Sequence, residues 1–87
     1  MLDERKLKSY VWHKDQCFFV STIMRDSSAF VSPAPRYAET MAWEYNWDTQ
    51  ERGKQVGMTG DGPAFKQHFA MCDQLYKNGI FKEAGDE

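Results

Sequence analysis

Residues 36–47 read Arg36-Tyr37-Ala38-Glu39-Thr40-Met41-Ala42-Trp43-Glu44-Tyr45-Asn46-Trp47, and their side chains alternate in size. Tyr37, Met41, Trp43, Tyr45 and Trp47 fall on one parity, while Ala38, Thr40 and Ala42 fall on the other. A period of two is that of a β-strand, whose successive side chains leave opposite faces of a sheet. Neither parity is rich in charge, so the stretch predicts a strand that can be covered on both sides.

Toward the N-terminus, Tyr10-Val11-Trp12 and Cys17-Phe18-Phe19-Val20-Ser21-Thr22-Ile23 flank the polar Lys14-Asp15-Gln16, which is the layout of a β-hairpin. Residues 1–8 are mostly charged and read as a frayed lead-in or one short helix. Between hairpin and third strand, residues 25–35 are Ser-rich and hold Pro33 and Pro35, so they form a loop. Toward the C-terminus, Asp48 to Gly53 is a polar turn, and Lys54 to Met58 returns as a short edge strand before Gly60-Asp61-Gly62-Pro63.

A helix is predicted over 63–78, capped by Asp61 or Gly62, with Pro63 in its first turn and Asn78-Gly79 as its stop. At 100° per residue, Ala64, Phe65, His68, Phe69, Met71, Cys72, Leu75 and Tyr76 share one arc, with Lys66, Gln67, Asp73, Gln74 and Lys77 opposite. Ile80 is expected to fold back on Leu75. The chain is therefore expected to be a single α+β domain over 1–87: a small antiparallel sheet of three to four strands with one C-terminal helix packed across a face.

Composition narrows the function classes. The 87 residues carry a net charge of −2 and 15% aromatics. No basic excess is available to neutralise phosphates, so nucleic acid is an unfavoured partner. No apolar run approaches the ~18 residues of a spanning helix and the start lacks a signal-peptide core, which gives the expectation of a cytoplasmic protein with reduced thiols and no membrane partner.

Two motifs compete for chemistry. The two histidines and two cysteines repeat one spacing, His13–Cys17 and His68–Cys72. Four nitrogen and sulfur donors suit a closed tetrahedral zinc site. A three-residue hairpin loop would set His13 opposite Cys17 on one face, and one helical turn sets His68 beside Cys72. A loop of two or four residues would instead pair Cys17 with Trp12. A Cys72–His68 catalytic pair is disfavoured, because Phe65, Phe69 and Tyr76 give an apolar setting that raises a thiol pKa. Glu39 and Glu44 fall on opposite faces of a strand, and the glycines of 57–62 lack a phosphate-loop lysine. No catalytic constellation remains, and the chain is expected not to be an enzyme.

What is left over is apolar surface. One amphipathic helix covers one face of a small sheet. The other face then exposes either Phe18, Val20 and Met24 or Val11, Phe19 and Ile23, beside third-strand residues. Trp, Tyr and Met are enriched at interface centres, so Tyr37, Met41, Trp43, Tyr45 and Trp47 are the candidate partner-binding residues. The leading expectation is a small protein-protein interaction or assembly protein, homodimeric and without a cofactor, of the size of bacterial or phage accessory proteins. The alternative is a zinc-binding module that uses His13, Cys17, His68 and Cys72.

Overall fold

The computed structural model describes residues 6–26, 36–60 and 62–82. Four antiparallel strands, β1 (Lys6–His13), β2 (Gln16–Asp26), β3 (Arg36–Asn46) and β4 (Glu51–Thr59), pair in the order β1-β2-β3-β4, and one helix, α1 (Ala64–Asn78), follows. The α+β architecture expected from the sequence is thus present, with a four-stranded sheet.

The β1–β2 connection is two residues long, Lys14-Asp15, with Lys14 at φ 54°. Positive φ at a two-residue turn matches the right-handed twist of the flanking strands. This length sets Trp12 opposite Cys17 and His13 opposite Gln16. Val11 therefore joins Phe18, Val20 and Met24 on the helix side, and not Phe19 and Ile23 as the three-residue loop implied. One residue of loop length turned the whole of β1 over.

Several boundaries differ from the sequence expectation. Lys6–Lys8 belong to β1, opposite Ile23, Thr22 and Ser21, and form neither lead-in nor helix. The fourth strand is longer than Lys54 to Met58, and it keeps step with β3 through two irregularities. Ala42 faces Gly57, Trp43 faces Gln55 and Tyr45 faces Arg52, so β4 contributes extra residues around Val56 and Gly53. The preceding turn is closed by Asn46, whose Oδ1 accepts from the backbone N–H of Asp48 (3.0 Å) and Thr49 (3.1 Å). Residues 27–35 of the Ser/Pro loop lie outside the described residues.

The core lies between sheet and helix. Phe18, Val20 and Ala42 from the strands meet Met71 and Leu75 from α1, with Val11, Val56, Cys72 and Phe81 packed around them. Gly57 permits this approach over β4, because a Cβ there would sit 3.0 Å from Met71 Sδ and 3.1 Å from Phe81. Phe81 fills the place expected for Ile80, which is 57% exposed.

The helix is also rotated from its expected orientation. Gln67 is buried, while Phe69 (61%) and Tyr76 (66%) are exposed. Pro63 occupies the N-cap position without a side-chain hydrogen bond, and Asp61 lies outside the described residues. At the other end Gly79 is left-handed (φ 72°) and returns its N–H to Leu75 O at 2.9 Å.

Candidate functional site

Gln67 is buried because it terminates a chain of hydrogen bonds that crosses the sheet–helix interface. Its Nε2 faces two backbone carbonyls, Ala38 O (3.1 Å) and Gly62 O (2.7 Å). Carbonyls only accept, so this nitrogen must donate, and Oε1 is left to accept from Thr40 Oγ1 at 3.0 Å. Thr40 has then spent its proton, and Thr22 Oγ1 must donate to it across 2.6 Å. Thr22 in turn accepts from His68 Nδ1 at 2.8 Å. The neutral imidazole therefore carries its proton on Nδ1, and Nε2 accepts from Ser9 Oγ at 2.7 Å.

The chain runs one way throughout, from Ser9 through His68 and from His68 to Gln67. Among the described residues no buried side-chain nitrogen or oxygen lacks a partner. Burial holds the His68 pKa below its ordinary value.

The four proposed zinc ligands lie apart. His13 lies on the helix side, where its Nδ1 donates to Tyr76 O at 2.9 Å and its ring lies against Gly79. It serves as a helix C-terminal cap. Cys17 is on the opposite face of the sheet, buried beneath the rings and opposite Trp12 and Tyr45. His68 has both ring nitrogens engaged in the network just traced. Cys72 lies beside the groove between β1 and α1, and burial raises its thiol pKa, as it does that of Cys17. The two pairs do not converge, and among the described residues no group of three or more His, Cys, Asp or Glu forms a donor set for a metal.

The face of the sheet away from the helix has a different character. Tyr10 and Trp12 of β1, Phe19 of β2, and Met41, Trp43 and Tyr45 of β3 share it, and Trp47 continues it past the strand end. Tyr10 is the centre, with ring centroids 5.3 Å from Phe19, 5.0 Å from Tyr45 and 5.2 Å from Trp47. Trp12 lies 6.1 Å from Trp47, and Phe19 stacks on Trp43 at 5.8 Å. Across the edge the Arg52 guanidinium covers the Trp43 ring at 4.7 Å. Burial among these rings, then the Tyr10 hydroxyl, push the Tyr45 pKa up.

Of the five residues proposed from β3, Met41, Trp43 and Tyr45 are half-buried on this face and Trp47 is 53% exposed. The side chain of Tyr37 lies outside the described residues. The sequence reading missed Tyr10 and Trp12 and named Phe19 only in one of two alternative exposed sets; these three complete the cluster from β1 and β2. Their signal was present in the alternation of Tyr10 and Trp12 with Ser9, Val11 and His13, but using it required the loop length. Tyr10 (47%), Trp12 (46%) and Met58 (49%) remain open, and no described element lies over them.

At the hairpin end of this face the rings border a cleft of about 660 Å³. Trp12, Tyr45 and Trp47 line it together with the carboxylates of Asp15, Glu44, Asp48 and Glu51 and the guanidinium of Arg52. Comparison with protein-family models, curated proteins and solved structures returned no match. No helix among the described residues is long and apolar enough to cross a membrane.

Proposed function

We propose that this chain is a non-enzymatic protein-protein interaction or assembly protein that works as a homodimer, with its aromatic sheet face as the contact surface. The observation that carries this reading is the distribution of the rings. Six aromatic side chains lie in mutual contact on the face the helix leaves bare, and three of them are roughly half exposed. Large apolar patches of this kind are uncommon on surfaces that face only water. Tyr and Trp also give contact area at low conformational cost, as interface centres require. Four strands about 19 Å wide and eight residues or about 26 Å long give a footprint of roughly 500 Å² before side-chain relief. A standard interface takes ~800 Å² from each partner, the same order.

Sedimentation equilibrium of the full chain tests this. The expected result is twice the monomer mass of 10.2 kDa at low micromolar concentration. A monomer mass that persists to 100 µM, well above any useful affinity for an obligate pair, overturns the homodimer.

A further inference from the structure

The aromatic face is electrostatically two-ended. Lys6 and Lys8 stand on it at the start of β1, both exposed, four and two residues before Tyr10 along the same parity. Neither has a carboxylate partner among the described residues. The opposite end holds the cleft, where Asp15 and Asp48 of the two turns outnumber the one guanidinium of Arg52; Glu44 and Glu51 also line it, but they pair with Phe18 and Asn46 on the helix-side parity. Two charges temper this contrast without removing it. Glu39 lies in the row of Lys6 and Ile23, and Lys14 lies at the β1–β2 turn outside the cleft lining.

Two copies that bury this face against each other, with strands aligned to within about 30° as packed sheets prefer, have two ways to satisfy a twofold axis. With the axis along the strands, β1 lies over β4 of the other copy, and like ends meet: lysines over lysines and carboxylates over carboxylates. An axis across the strands puts β1 over β1 with its direction reversed. Lys6 and Lys8 of each copy then stand over the ring- and carboxylate-lined cleft of the other. Opposite charges attract and like charges repel across an interface that excludes water, so the second arrangement wins. The cleft suits an ammonium group on two counts, since indole and phenol faces attract cations and carboxylates pair with them. Arg52 over Trp43 is an instance of the first on the same face.

We propose that a second copy of this chain occupies the aromatic face with its strands reversed, and that Lys6 and Lys8 of each copy enter the cleft bounded by Trp12, Trp47, Asp15 and Asp48 of the other. This rests on the self-association proposed above and specifies its geometry. The lysines act as the register key, because a parallel arrangement of the strands leaves both them and the carboxylates without partners.

Charge reversal tests it. One variant carries Lys6→Glu with Lys8→Glu, and another carries Asp15→Lys with Asp48→Lys; all four positions are exposed, so the fold is expected to persist. Each variant alone places like charges at both ends of the interface, and its dimer is expected to weaken at least tenfold. An equimolar mixture restores opposite charges at both ends and is expected to form a heterodimer of near wild-type affinity, weakened by added salt. Variants that dimerise as tightly as the wild type, or a mixture that stays monomeric, overturn the reversed arrangement while leaving wild-type self-association intact. A monomeric wild type overturns both readings. A lysine-rich peptide that binds the monomeric wild-type cleft, with loss of binding in Asp15→Lys, Asp48→Lys, likewise overturns self-pairing and assigns the cleft to a foreign cation.

Discussion

Gln67→Leu is expected to destabilise the fold by about 1–3 kcal/mol, the cost of leaving buried polar groups without partners, although leucine is the better helix former and nearly isosteric. The loss arises at Ala38 O and Gly62 O, which lose the amide, and at Thr40, whose hydroxyl proton then finds an acceptor only if the bond to Thr22 reverses. One rearrangement recovers part of the loss. If Thr40 donates to Thr22 and Thr22 donates to His68 Nδ1, the imidazole must move its proton to Nε2 and donate to Ser9. The expected signature is a change of His68 tautomer from Nδ1–H to Nε2–H, read from its nitrogen chemical shifts, together with a lower urea midpoint. An unchanged midpoint would contradict the network.

The same network fixes the sign of the pH dependence. His68 has a folded pKa below its unfolded value of ~6.5, so the unfolded state binds the extra proton more readily. Its stabilising effect is complete above the unfolded pKa and is lost as pH falls through the folded one. Protonation at Nε2 would also set a donor against the Ser9 hydroxyl, which must then turn away.

The helix shows why the sequence was only partly legible. Its limits were readable from Pro63 and Asn78-Gly79, because those residues act through local backbone geometry. Its buried arc was not, because counting apolar residues placed Gln67 in solvent and Phe69 and Tyr76 in the core. A polar side chain is buried when facing strands provide partners, and Thr22, Thr40 and the Ala38 carbonyl do so across 27 or more residues of sequence for Gln67 and His68. No periodicity within the helix contains that information. In the same way the side-chain alternation of β3 was plain, whereas the face of β1 depended on a turn that two or three residues could equally close. That ambiguity hid Tyr10 and Trp12 and made His13 and Cys17 look like partners.

Tyr10→Ser combined with Trp47→Ser is expected to weaken self-association by two to three orders of magnitude while leaving the monomer folded. Truncation of a central aromatic at an interface costs about 2 kcal/mol or more, ~30-fold each. These two are 47% and 53% exposed in the single chain, so little of their area supports its core. Tyr10 also touches Phe19 and Tyr45, and its loss is expected to lower thermal stability slightly. Ile80→Ser provides the contrast. Ile80 is 57% exposed but follows the end of α1 on the helix side of the sheet, so dimer affinity is expected to stay within a few-fold of wild type, whereas Phe69 and Tyr76 share the β1–α1 groove with Tyr10 and Trp12 and are unsuited to that role.

All three tryptophans of the chain, Trp12, Trp43 and Trp47, belong to the aromatic face, so intrinsic emission reports on that surface alone. The direct measurement is tryptophan emission and acrylamide quenching on dilution from 100 µM to 0.5 µM. Cover by a second molecule predicts blue-shifted, poorly quenched emission at high concentration that moves to the red and becomes quenchable as the copies separate. Emission that is red and fully quenchable at every concentration would contradict an interface on this face.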